Sequence, residues 1–237
     1  MQSRKGLFVS GVQQRTGKTL VAAALAMMLH HRQVNVGVMK PVETGVSELE
    51  RLGCDGRLLC WAAGSSQATD RVSPYRLREK LTPADAATEQ KIRIDYNSLV
   101  EQAKTVIEEH EFTLVEGTGG LMTPLAGGLM MGDFIKALGL PVLFICRPGP
   151  DAVDLTLLTL FAAHALQLPV AGYLINDMPQ IKKSGEEKLA HTLAMRTRDE
   201  LFGVLDNVEG TDEEKVAKLE KQITGMRTLS LLSPYLP

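Results

Sequence analysis

The stretch from Val9 to Thr19, V-S-G-V-Q-Q-R-T-G-K-T, leaves this chain few folds to choose from. The apolar run Leu7-Phe8-Val9 is short enough for a buried strand, and it breaks at Gly11. Polar residues then lead into Gly17-Lys18-Thr19, and an apolar-periodic segment from Leu20 to Leu29 follows at once. Strand, glycine-bounded loop and helix, in that order, cradle a phosphate, because backbone N–H groups and the positive end of the helix dipole face the anion. In this pattern Lys18 reaches the β- and γ-phosphates and the Thr19 hydroxyl binds Mg²⁺. The usual spacing has four residues between the glycines. Here Gly11 and Gly17 have five between them, with Val12 where a glycine usually stands.

Further apolar runs recur downstream. Val34–Met39 ends on Lys40-Pro41, Phe112–Val115 on Glu116-Gly117, and Pro169–Ile175 on Asn176-Asp177; Pro141–Cys146 and a weaker Phe202–Leu205 complete the set. Between and around them, helical patterns cover Thr16–Arg32, Asp55–Ala63, Tyr96–His110, Met131–Leu138, Asp151–Leu166 and Gly185–Arg196. Nearly apolar strands alternating with helices predict an α/β fold, a mostly parallel sheet with helices on both faces. With 237 residues, 44% of them hydrophobic, the expectation is one domain of the P-loop NTPase type spanning residues 1–237. Glu43–Ile94 breaks the rhythm and reads as a lid or an interface, with Thr82 capping a helix that starts on Pro83. Asp212–Ile223 reads as a charged surface helix.

A net charge of −2 and the lack of a long basic block argue against nucleic acid as a partner. The two charges near the N-terminus, Arg4 and Lys5, precede too short an apolar run for a signal segment, and no run approaches the ~18 residues of a membrane helix. Cys54, Cys60 and Cys146 have no metal-binding spacing and read as free thiols of a cytoplasmic protein.

In an open α/β sheet, ligands bind beyond the carboxyl ends of the strands. The polar residues at those ends therefore belong together: Lys18 and Thr19, Lys40 and Thr44, Glu116 with Gly117-Thr118-Gly119-Gly120, and Asn176-Asp177. Singly, Lys40 reads as a solvated lysine, Glu116 as a loop cap and Asn176-Asp177 as a turn. Converging on one edge, they supply two cations for a phosphoryl transition state and carboxylates for a metal.

Gly11-x₅-Gly17-Lys18-Thr19, Lys40-Pro41-Val42-Glu43-Thr44-Gly45, Glu116-Gly117-Thr118-Gly119-Gly120 through Pro124-Leu125, and Asn176-Asp177 together resemble the dethiobiotin synthetase family. The resemblance runs in order to about Leu205, and the five-residue gap is typical of that family. It implies ATP-dependent closure of a cyclic urea on 7,8-diaminononanoate and CO₂, through a carbamate and its mixed anhydride with phosphate. It implies Lys18 and Lys40 as catalytic residues, and Gln14, Arg15, Thr16, Gly17, Lys18, Thr19 and Leu20 around the nucleotide, with Asn176 reading adenine. Thr19, Asp55 and Glu116 would hold Mg²⁺. Lys40, Thr44, Gly119 and Gly120 would meet the diamino acid, joined by Ala152 and Val153 at a helix start contributed across a homodimer interface.

The chain departs from the family pattern in three places. Gln13, Gln14 and Arg15 stand where the family tends to have Asp, Thr and Glu, and the reversed charge at Arg15 favours ATP. Pro150-Asp151-Ala152-Val153-Asp154 replaces a Gly-x-x-Asn-His-like run; two aspartates suit a helix cap but not a neighbouring carboxylate. The segment after Gly203 matches poorly. Two other readings share the loop: a regulatory ATPase of the partition or septum-placement type, and an amide-forming enzyme. The first would have a second lysine early in the loop, where this chain has Arg15, and the second a glutaminase domain for which there is no room.

Overall fold

A computed structural model describes residues 5–237; Met1–Arg4, and with them one of the two N-terminal charges, lie outside the described residues. β1 (Gly6–Gly11) is buried throughout and alternates between the faces of a sheet. Leu7 and Val9 enter one apolar cluster and Phe8 the other, as a period of two requires. α1 (Lys18–His31) follows the loop, then β2 (Val36–Met39) and β3 (Val42–Thr44). The expected helix start at Thr16 is corrected to Lys18: Gly17, at φ 80°, lies in the left-handed region and cannot belong to the helix.

The anomalous segment is folded, not a loose lid. It comprises α2 (Cys54–Ala63), α3 (Thr69–Val72), β4 (Tyr75–Leu77) and α4 (Pro83–Glu89), and β3 and β4 form a separate two-stranded parallel sheet. Thr82 caps α4 as anticipated, its hydroxyl accepting from the Asp85 N–H at 3.3 Å, with Pro83 at the first helical position. Such a cap contributes ~1 kcal/mol. Trp61 is exposed on α2.

The rest of the chain supplies α5 (Tyr96–Glu109), β5 (Phe112–Glu116), the β6–β7 hairpin (Pro124–Ala126 and Leu129–Met130) and α6 (Met131–Leu138). β8 (Val142–Cys146), α7 (Ala152–Ala165), β9 (Val170–Met178), α8 (Ser184–Ala194), β10 (Leu201–Asp206) and α9 (Asp212–Gly225) follow, then a short α10 (Leu229–Leu232). The main sheet has the order β10-β9-β8-β1-β5-β2, and every pairing in it is parallel. β9 runs on through Asn176 and Asp177 where the strand was expected to stop.

One face of the sheet is covered by α1, α2 and α9, the other by α4 to α8. The tail helix α9 is therefore more than a surface helix. Its charged side faces outward, while Val216, Leu219 and Ile223 are buried in the cluster that holds α1. Each contributes ~1.5–3 kcal/mol relative to exposure. Among the described residues, no helix is long and apolar enough to cross a membrane.

Candidate active site

The loop after β1 is shaped by what its glycines exclude. A Cβ on Gly11 would lie 2.6 Å from the Gln13 carbonyl oxygen and 2.7 Å from Thr16 Oγ1. A Cβ on Gly17 would lie 2.3 Å from Asn176 Nδ2, and that amide donates to the Thr16 carbonyl at 2.9 Å. Asn176, from β9, thus locks the loop from the side, and α1 begins with Lys18 and Thr19 already aimed at the sheet edge. Lys18 is only 8% exposed, not at a solvent-facing helix start as its position next to polar loop residues suggests. Burial lowers its pKa, with repulsion from Lys40 acting the same way and Glu116 opposing.

β2 and β5 are neighbours in the sheet, so Lys40, just past the end of one, meets Glu116 at the end of the other. Lys40 Nζ is 2.7 Å from Glu116 Oε1 and 2.9 Å from Asp55 Oδ2, and the Thr19 hydroxyl donates to Glu116 Oε1 at 2.8 Å. Lys40 and Glu116 are 3% and 1% exposed. Burial on its own would depress the Lys40 pKa, but the two carboxylates outweigh it and hold the ammonium above the ordinary lysine range. Burial likewise pushes the Asp55 carboxyl up, and Lys40 more than reverses that, leaving it below its usual value. Glu116 goes the other way: its complete burial, with Asp55 nearby, pushes its carboxyl above the usual value although Lys40 and Lys18 pull it down.

Thr19, Asp55 and Glu116 are hard oxygen donors on one spot, the set that suits Mg²⁺. Glu116 Oε2 is buried and has no hydrogen-bond partner, an orphan that a cation would satisfy. Among the described residues no group of three or more His, Cys, Asp and Glu side chains gathers; Mg²⁺, which takes one or two carboxylates and keeps water, does not require one.

Two cavities flank the loop. The larger, about 480 Å³, is lined by Gln14, Arg15, Gly17, Lys18, Thr19 and Leu20 from the loop side, by Lys40, Thr44, Asp55, Glu116 and Gly119, and by Lys80–Pro83 of the inserted segment. The smaller, about 250 Å³, shares Arg15, Gly17 and Leu20 and adds Thr16, Asn176 and residues of β10 and α9. Arg15 sits at φ 58°, at the rim of both.

Three expectations change. Gly120 does not present its N–H to a ligand: the N–H is donated to Thr123 Oγ1 at 2.9 Å, and Gly120 stays tight against the Gly11 carbonyl. Ala152 and Val153 line neither cavity of their own chain, which leaves a contribution across a dimer interface untouched, but the Ala152 N–H is spent on the Gly149 carbonyl at 3.2 Å. Asp151 stands at the N-cap of α7 but makes no side-chain capping bond.

Other residues escaped notice in the sequence. Asp206, Asn207 and Lys215 line the smaller cavity, although they belong to the segment whose pattern matched poorly. The rule that ligands sit at strand carboxyl ends points to Asp206-Asn207, at the end of β10. Glu43 is buried beneath Asp55, and no periodicity or spacing announces it.

Residues 5–215 match the family model described as an AAA domain. An ATP-dependent dethiobiotin synthetase of Thermodesulfovibrio yellowstonii is 30% identical over 225 residues, covering 91% of this chain and 94% of the relative. One from Anaeromyxobacter dehalogenans is 35% identical over 194 residues, covering 79% and 86%. In three dimensions the chain is similar to a plasmid partition protein of Borrelia burgdorferi B31, with a TM-score of 0.58, 14% identity and 98% of each chain covered. It is also similar to the septum site-determining protein MinD of Pyrococcus horikoshii OT3, with a TM-score of 0.57, 13% identity and coverage of 93% and 95%. At those identities the structural likeness establishes the P-loop fold alone, whereas the sequence relatives span nearly the whole chain. The loop, the Lys40–Glu116 pairing and the full-length relatives agree, and the chain belongs to the ATP-dependent dethiobiotin synthetase family of ligases.

Proposed function

We propose that this protein closes the ureido ring of dethiobiotin in biotin biosynthesis, from 7,8-diaminononanoate, CO₂ and ATP. The observation that carries the reading is the meeting of two buried lysines with two carboxylates and a threonine hydroxyl in one cavity. One amine of the diamino acid adds to CO₂ and loses a proton, giving a carbamate. The carbamate oxygen takes the γ-phosphoryl group of ATP and ADP leaves. The second amine then attacks the carbamoyl carbon, and phosphate departs as the ring closes.

Each residue does one part of this. Lys18 neutralises charge on the transferring phosphoryl group, where a preorganised cation out of water acts most strongly. Lys40, kept charged by its neighbours, stabilises the carbamate and the same phosphoryl group. Thr44 and the Gly119 backbone meet the substrate, and Gln14, Arg15, Thr16, Gly17 and Leu20 enclose the nucleotide. Asn176 and the β10 exit line the base side, where Asn176 reads adenine. Thr19, Asp55 and Glu116 would hold Mg²⁺, which would supply positive charge against the developing charge of phosphoryl transfer.

The working form is a homodimer, with Val153 and its neighbours at the α7 start meeting the substrate carboxylate of the other copy. Support comes from Ala152 and Val153 lining neither of the two cavities of their own chain, and from Leu158 and Phe161, exposed on the same helix. The enzyme acts in the cytoplasm, in keeping with three free thiols.

ADP release by the purified protein tests the reading. Turnover is expected to need both the diamine and bicarbonate. Turnover that ignores both, and rises instead with a protein or membrane partner, would replace it with the regulatory ATPase.

A further inference from the structure

Glu43 is a buried acid that the chemistry above leaves without work. It lies on β3, one residue before Thr44, and is 3% exposed. Its two oxygens accept three backbone N–H groups at the start of α2: Gly53 to Oε2 at 3.1 Å, Asp55 to Oε1 at 2.8 Å and Gly56 to Oε1 at 3.4 Å. α2 has no cap from its own sequence, since Gly53 stands at the N-cap position with no side chain to offer. Glu43 is the cap, delivered from a different element.

The glycines around it make the room. A Cβ on Gly53 would lie 2.3 Å from Glu43 Oε1 and one on Gly56 3.1 Å from Oε2. No salt bridge to Glu43 is present among the described residues, so the helix N-terminus and the three N–H groups are what hold the carboxylate. Burying an acid beside a second acid, Asp55, is costly unless the geometry returns something. What it fixes is the backbone of Asp55 itself, whose side chain reaches Lys40 at 2.9 Å.

We propose that Glu43 is a positioning residue that locks the start of α2 so that the Asp55 carboxylate faces Glu116 and Thr19 before any ligand arrives. It ties the strand carrying Thr44 to the helix carrying Asp55, and so sets one side of the cation site from beneath. The proposal rests on the reading of Asp55 as a metal ligand. Residues that orient a ligand commonly change metal affinity about 10–100-fold when lost.

The three acceptor contacts predict an order of variants. Glu43→Gln has one acceptor oxygen, which serves Asp55 and Gly56 together, and its NH₂ then faces the Gly53 N–H and cannot accept from it. Glu43→Ala serves none. Amide hydrogen exchange in the ligand-free protein is read residue by residue. E43Q is expected to lose protection at Gly53 while keeping it at Asp55 and Gly56, and E43A is expected to lose all three. Mn²⁺ binding in the presence of ADP, read from the spin-resonance signal of the free ion, is expected to weaken at least about tenfold in E43A and less in E43Q.

Wild-type protection confined to other amides of α2, or Mn²⁺ binding in E43A equal to wild type, overturns the proposal. So does an E43Q variant no better than E43A in both measurements. Should E43A fail to fold, the Gly53-selective change in E43Q carries the test. Neither measurement uses the diamine, so a protein without diamine-dependent turnover would sink the proposed reaction and leave this result standing.

Discussion

The loops after β1, β2 and β5 and the start of α7 all lie at the carboxyl edge of one sheet, yet they are built differently. At the first, Lys40, Glu116, Asp55 and Thr19 hold one another in contacts of 2.7–2.9 Å, and Asn176 braces the Thr16 carbonyl beside them. At the second, Asp151 caps nothing, Ala152 has spent its N–H within the turn, and both aspartates add negative charge. A site for phosphate chemistry is complete in one chain. The start of α7 shows no such built arrangement, and in the proposed reading it meets the substrate's carboxylate only from the other copy.

The sharpest way to break this contrast is at Lys18. Lys18→Ala is expected to cut turnover about 10²–10³-fold, the cost of removing a preorganised charge at a transition state. Folding should survive, since the lost ammonium was itself poorly solvated. A variant that keeps a tenth of the wild-type rate would mean that the interlocked end is scaffolding.

The other end is predicted to respond weakly and in the opposite sense. Exposed charges at a helix start act at ~0.3–1 kcal/mol each, so Asp151→Asn with Asp154→Asn should tighten binding of the diamino acid by up to about tenfold. ATP affinity, measured in the same titrations, is expected to stay put. Unchanged diamine affinity would show that the anion binds elsewhere.

A still smaller effect concerns the thiols. Cys54 is exposed on the wall of the larger cavity, whereas burial, with Glu43 nearby, pushes the Cys60 thiol up to about 11. Iodoacetamide at pH 8 should therefore label Cys54 well ahead of Cys60, and Mg-ATP should slow Cys54 a few-fold. Equal labelling of the two, or no protection, would detach the start of α2 from the nucleotide.

The same contrast decided what could be read without coordinates. Lys40 and Glu116 stand at the ends of apolar strands and Lys18-Thr19 opens a helix after a glycine-bounded loop, so strand ends and glycines locate them. The parallel sheet and both helical faces were legible for the same reason. Gly120 looked like a ligand donor because glycine permits close approach, but its N–H is claimed by Thr123, three residues on, which no spacing rule weighs. Glu43 stands in the Lys40–Gly45 run, but its role was not legible because its partners are backbone amides 10–13 residues away. Val216, Leu219 and Ile223 sit at helical spacing within a charged segment, and only the uncovered face of α1 explains why they turn inward.

That last packing has a consequence for how the protein comes into being. α1 leaves the ribosome early with apolar surface that α9 helps to cover, and α9 is made about 180 residues later. At ordinary synthesis rates the face stays bare for roughly 10–40 s. The phosphate loop can fold in that interval, but Asp212, at the head of α9, reaches the cavity only when the last helices arrive. The nascent chain therefore carries part of the α1 surface uncovered until synthesis is nearly done, and slowing elongation should expose it to aggregation before it can bind a nucleotide.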